Sequence, residues 1–171
     1  SNINARKLLA ATRMKLSQPG LAMDTLEPLL SESGKDLQTL VMAGSAAVRS
    51  GELRVGTTYL KKALESAPNN AAIRTELALA YLSESRFDMA LKELEVATGQ
   101  SEGDSNKRAG ILLVLTYLRQ EDGTKALQAA NELKESFSDD PVVHNLLGVV
   151  YGQLEDDLKA RSGFEKALQL K

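Results

Sequence analysis

Residues of the same kind recur along this chain at a spacing of 34. Leu113 and Leu147, Tyr117 and Tyr151, and Ala126 and Ala160 each stand 34 apart. Upstream, Ala22, Gly56 and Ala90 line up at that step, as do Ala10, Gly44 and Ala78. Between Tyr81 and Tyr117, and between Ala90 and Ala126, the step is 36. The surplus falls in "TGQSEGDSN" (98–106), a Gly/Ser/Asp-rich stretch that reads as a loop able to absorb it. A sustained period of this size demands a stack of like supersecondary units, none of which buries its apolar face alone. Five units follow, at 3–36, 37–70, 71–106, 107–140 and 141–171, forming a single array over 1–171.

Within a unit the apolar spacing is helical and the punctuation divides it in two. In the third, Ile73, Leu77, Ala80 and Tyr81 fall on one face of a first helix, helix A. Ser85 is predicted to cap helix B, with Asp88 as its capping-box partner, ahead of Ala90, Leu91, Leu94 and Ala97. Asp140-Pro141 reads as an N-cap followed by a proline at the first helical position. Asn69-Asn70 after Pro68 breaks one helix and caps the next; Gly34 ends a helix and Asp36 caps its successor. Pro28 falls inside the first helix B, which is expected to kink or end near Glu27. Ala, Leu, Glu, Lys and Gln are plentiful and aromatics make up only 4%. The expectation is an all-α chain of about ten antiparallel helices.

A period near 34 with two helices per unit, carrying "LLGVVY" and then Ala160, Phe164 and Ala167, resembles the tetratricopeptide repeat (TPR) family. The fifth and second units carry most of the likeness, the second through Gly44, Leu60, Ala63 and Pro68. The first departs from it, with Arg13 where the family has an aromatic; the fourth has Leu133 where a small residue is usual. The resemblance implies a right-handed superhelical solenoid. "ARKLLAA", "EPLL" and "HNLLG" are also similar to strings in the TPR lipoproteins of bacterial exosortase (PEP-CTERM) systems, which are linked to exopolysaccharide production. That narrower likeness implies a periplasmic, lipid-anchored envelope protein; without it the expectation is cytoplasmic.

The small residues then acquire a purpose. Ala10, Gly44, Ala78, Val114 and Gly148 lie mid-helix A, and Ala22, Gly56, Ala90, Ala126 and Ala160 early in helix B. Close approach at these points lets Leu9, Leu77, Leu113 and Leu147 interlock with Leu26, Leu60, Leu94 and Phe164. One buried side chain of this kind contributes roughly 1.5–3 kcal/mol, more than the ~1 kcal/mol a glycine costs a helix. Gly152 has no such reason.

Charge and chemistry narrow the function. Basic and acidic residues number 21 and 23, a net of −2, which argues against nucleic acid as partner. No cysteine is present, so disulfides and thiolate metal sites are excluded. No apolar run approaches the roughly 18 residues of a membrane span, so this segment is not expected to insert directly. Ser1-Asn2 has the form of a tag scar. His144 is the only histidine and is expected to fill an aromatic's place on helix A, where Arg6, Leu40, Arg74 and Gly110 stand in other units. Asp139-Asp140 and Glu155-Asp156-Asp157 read as turn and capping residues, and no catalytic or phosphate-binding motif occurs. The expectation is a segment with no catalytic residues, no metal and no cofactor.

Helix A lines the concave face in the family, and the phase of these helices places Lys7, Val41, Thr75, Ile111 and Asn145 there. One turn on come Ala11, Ser45, Leu79, Leu115 and Val149, then Met14, Val48, Leu82, Leu118 and Gly152, flanked by Lys15, Arg49, Ser83, Arg119 and Gln153. The candidate partner-binding groove comprises Lys15, Val41, Arg49, Leu79, Leu82, Ile111, Leu115, Leu118, Arg119, Asn145, Val149 and Gln153. Its apolar centre with a basic edge suits a protein or peptide. Alternatively, tight winding covers those leucines. Three function classes stand: a non-catalytic interaction scaffold, the TPR arm of a larger enzyme, and a structural module. After Leu168-Gln169-Leu170-Lys171 no polar capping helix follows, which reads as a segment of a longer array. Uncapped ends of this kind give the third class a route to homodimers.

Overall fold

The computed structural model describes residues 2–32, 36–100 and 103–170. Among them are ten α-helices: α1 (Ile3–Lys15), α2 (Pro19–Glu32), α3 (Leu37–Ser50), α4 (Leu53–Ser66), α5 (Ala71–Ser83), α6 (Phe87–Gln100), α7 (Asp104–Arg119), α8 (Gly123–Ser136), α9 (Pro141–Gln153) and α10 (Asp157–Gln169). Successive helices pair as antiparallel hairpins, odd-numbered members being helix A and even-numbered ones helix B. The described residues gather into two compact units, up to Glu93 and from Leu94. In the first, α3 packs on α1, α2, α4 and α5; in the second, α9 packs on α7, α8 and α10.

One turn joins helix A to helix B five times over. Ser17, Gly51, Ser85, Glu121 and Glu155 all have left-handed backbone, with φ between 57° and 89°. Each donates its N–H three residues back, and its successor donates five back: Ser85 to Leu82 and Arg86 to Tyr81, Glu155 to Gly152 and Asp156 to Tyr151. This is the Schellman arrangement, which satisfies helix-end carbonyls. The successor's carbonyl accepts from the small residue four further on (Ala22, Gly56, Ala90, Ala126 and Ala160), so helix B starts in the same register each time. Ser85 is therefore not the cap of α6 that its residue type predicts. It occupies the left-handed position, and the helix begins at Phe87.

Other helix boundaries follow local chemistry. The side chains of Asp36, Asn70 and Asp140 accept from the amides of Thr39, Ile73 and Val142, and Asp122 and Asp156 cap α8 and α10 likewise. Gly34 lies outside the described residues. Pro28 does not end α2, which runs on to Glu32. Leu26 and Leu29, on either side of it, are fully buried, and that packing outweighs the missing hydrogen bond. The stretch 98–106 is mostly not a loop either, because α6 reaches Gln100 and α7 starts at Asp104. The two extra residues are taken up by lengthening α7 to 16 residues, against 13 or 14 in every other helix.

The small columns sit at the hairpin contacts. Ala10, Ala78 and Val114, with Ala22, Ala90 and Ala126, are all fully buried. A Cβ on Gly44 would lie 2.7 Å from Leu60 Cγ, and one on Gly148 2.6 Å from the Phe164 ring. In the fourth repeat the larger Leu133 is accommodated by Gly110, where a Cβ would lie 2.7 Å from Leu133 Cδ1. Two members of the predicted interlock differ: Leu9 is exposed, and Phe164 is only partly covered. In place of the family's aromatic, Arg13 hydrogen-bonds the Leu21 carbonyl and the Thr25 hydroxyl across its own hairpin.

Asp36 also ties one repeat to the next, through Lys7 of α1 at 2.7 Å. That hydrogen bond, together with those from Thr39, holds its carboxyl down to about 2. The folded value lies below the unfolded one of about 3.9, so the stabilisation is complete above about pH 4 and is lost as pH falls towards 2. Asp36→Ala should cost about 1 kcal/mol near neutral pH, a value already discounted for solvent screening. The melting curves of variant and wild type should converge as pH falls from about 5 to about 2. A difference independent of pH would show that the carboxylate charge contributes nothing.

Candidate interaction surface on the helix A face

Each unit presents part of the predicted surface. In the first, Leu79, Leu82 and Val41 are half-buried, while Lys15 and Arg49 are exposed. Thr75 is not open: it is 2% exposed and its hydroxyl donates to the Ala71 carbonyl. Lys7 is held by Asp36 and also donates to Gln38, and the Ser45 hydroxyl donates to Glu76 at 3.0 Å. Much of the polar chemistry on this face is thus internal bracing between neighbouring helices A.

In the second unit the face is more open. Leu115 and Val149 are 46% and 43% exposed, Ile111 and Leu118 half-buried, and Asn145, Arg119 and Gln153 exposed. Gln153 Nε2 donates to the Leu118 carbonyl at 3.2 Å, joining the ends of α7 and α9. Leu118, Arg119 and Gln153 line one cleft of about 540 Å³ together with Glu121, Gly123 and Leu154. Gly152 has open space around the position of a Cβ, so no packing contact accounts for it.

His144 is buried, and its Nε2 lies 2.6 Å from the Ser138 carbonyl, which it meets as a donor. Arg74, the residue in the same place two repeats earlier, donates to the Pro68 carbonyl from Nε and Nη2. Both side chains fasten helix A to the turn before it. Asp140, one of the paired acids, combines an N-cap with an ion pair to Lys107 at 2.9 Å, and that lysine holds its carboxyl below the usual range. Asp156 is likewise held low by Lys159.

Two features escaped the sequence reading. The Tyr117 hydroxyl donates to Glu95, and burial first, then that carboxylate, pushes the phenol well above its usual range. Lys134, Lys159 and Lys166 line one groove with His144 and Tyr151. Lys159 and Lys166, seven residues apart, share a helix face in any α-helix. Their meeting with Lys134 across α9 is a product of the fold.

Paired helices with a repeated left-handed turn and small residues at every crossing define a helical-hairpin repeat protein. More particularly, residues 41–105 match the tetratricopeptide repeat family model. The fold of the chain is similar to that of solved MamA structures. "MamA 41-end from Desulfovibrio magneticus RS-1" superposes with a TM-score of 0.81 at 21% identity, covering 98% of this chain and 93% of that one. "Crystal structure of MamA" gives 0.80 at 18%, over 94% and 93%; "MamA MSR-1 C2" gives 0.74 at 21%, over 96% and 94%. At these identities the likeness is one of fold. Comparison with curated proteins gives no match.

Proposed function

We propose that this chain is a non-catalytic interaction scaffold that holds a segment of a partner protein on its helix A face. The observation that carries the reading is the exposure of Leu115 and Val149 beside half-buried Ile111 and Leu118, with Arg119 at their edge. Apolar side chains left open in a row, rimmed by charge, favour a protein partner. The match of residues 41–105 to a tetratricopeptide repeat supports it. Leu82→Glu with Leu118→Glu should abolish capture of the native partner in a pull-down while circular dichroism stays helical. Leu115→Glu, at the more exposed site, should weaken it with less effect on folding. Capture undiminished by both variants would exclude this face. The narrower proposal, an exosortase-linked envelope role, is supported by "ARKLLAA", "EPLL" and "HNLLG". A lipoprotein signal in the full reading frame would favour it, and its absence would count against it.

A second reading, end-to-end assembly of copies, has its own support. Leu8 and Leu9 of α1, and Leu16 just after it, are exposed, Leu8 by 72%. Leu8 and Leu9 hold the positions that in α9 belong to Leu146 and Leu147, both buried. Light scattering that reports a monomer at high concentration removes this reading.

A further inference from the structure

The second unit has a groove that the helix A reading does not use. It runs over α9, with Lys134 of α8 on one wall and Lys159, Ser162 and Lys166 of α10 on the other, above Leu147 and Tyr151. Its volume is about 490 Å³, and no carboxylate is among the residues that line it. Lys159 is held by Asp156 at 2.7 Å and rests 5.2 Å from the centre of the Tyr151 ring. Lys134 and Lys166 have no carboxylate partner among the described residues.

The corresponding groove one repeat earlier shows that the fold does not require this charge. There Leu113 and Tyr117 form the same floor and Lys125 holds the place of Lys159. Thr98 and Glu132, however, stand where Lys134 and Lys166 stand. A packing requirement would act on both grooves alike. Three lysines around one groove instead give it a positive potential that attracts an anionic segment.

We propose that the groove between α8 and α10 binds an extended acidic peptide segment of a partner protein. Lys159 and Lys166 are seven residues apart on one helix, so their backbone anchors are separated by about 10.5 Å. A peptide extended in the polyproline II conformation places residues three apart on the same side and roughly 9 Å from one another, so carboxylates at that interval would meet one lysine each. A single phosphate is too small to span that distance. Leu147 and Tyr151 beneath the lysines give the peptide's apolar atoms a surface, and long lysine stems let the ammonium groups follow it.

The test uses the whole chain and a fluorescein-labelled decapeptide with aspartate at every third position among serine and leucine, read by anisotropy at low salt. A lysine-for-aspartate peptide and inorganic phosphate are the comparison probes. The acidic peptide should bind, and Lys134→Glu with Lys166→Glu should weaken it about tenfold or more. Lys62→Glu with Lys92→Glu, an equal change in net charge on exposed positions of the first unit, should leave affinity within about twofold. The Leu82→Glu, Leu118→Glu variant should bind as wild type, which separates this site from the helix A face. If circular dichroism shows that the groove variant has lost helix, Lys134→Gln with Lys166→Gln takes its place. Equal loss in the two lysine pairs, equal binding of the lysine peptide, or displacement of the acidic peptide by equimolar phosphate would each overturn the proposal.

Discussion

Gly163→Val is expected to destabilise the chain by about 3 kcal/mol, the upper end of what overpacking costs. A Cβ on Gly163 would lie 2.9 Å from the Gly148 nitrogen, and 3.0 Å from both the Gly148 Cα and the His144 carbonyl. Those are backbone atoms of α9, so relief requires the whole helix to shift. Gly148→Leu meets a different obstacle, the ring of Phe164, which is 38% exposed and can swing outward. Its cost should be smaller, about 1–2 kcal/mol. Gly152→Ala meets nothing within 4 Å and should stabilise by about 0.5–1 kcal/mol, since alanine favours the helix. Thermal melts of the three variants should therefore fall in the order Gly163→Val, Gly148→Leu, wild type, Gly152→Ala. A Gly163→Val protein that melts with the wild type would show that α9 and α10 do not touch there.

Tyr81→Ala should cost about 3–5 kcal/mol, as for other large buried aromatics. The Tyr81 side chain is 1% exposed and among the largest fully buried in the chain. Cations lie over its ring, Arg86 at 4.8 Å and Lys61 at 5.7 Å, and contribute about 0.5–1 kcal/mol more. The Tyr81 carbonyl accepts from Arg86 in the Schellman turn, and alanine keeps that bond, so the loss isolates the side chain. Urea unfolding should show a lower midpoint for the variant. A change under about 1 kcal/mol would mean that the ring is not a packing centre.

What was legible in the sequence was whatever depends on local rules repeated in register. Small residues at 44, 56, 78 and 148 mark helix crossings because only a missing side chain permits close approach, wherever the crossing lies. Asp36, Asn70 and Asp140 cap because a carboxylate or amide oxygen reaches the amides that follow it. Errors came where neighbours override such rules. Ser85 has the side chain of a cap but sits where the turn needs left-handed backbone, and Pro28 breaks a helical bond that the buried Leu26 and Leu29 make good.

The candidate surface was only partly legible, for a related reason. Helical phase says which way Thr75 and Leu115 point, but not that one is closed over and the other left 46% exposed, because that depends on the neighbouring helices. Gly163 was missed because its partners are backbone atoms, which leave no trace in side-chain periodicity. The lysine groove was missed because Lys134 lies in one repeat and Lys159 and Lys166 in the next. By itself, the sequence determined the number, order and pairing of the helices, since each follows from spacing along the chain. The tertiary structure alone decided which side chains stay open and which charges meet, because both depend on distances between residues that spacing does not relate.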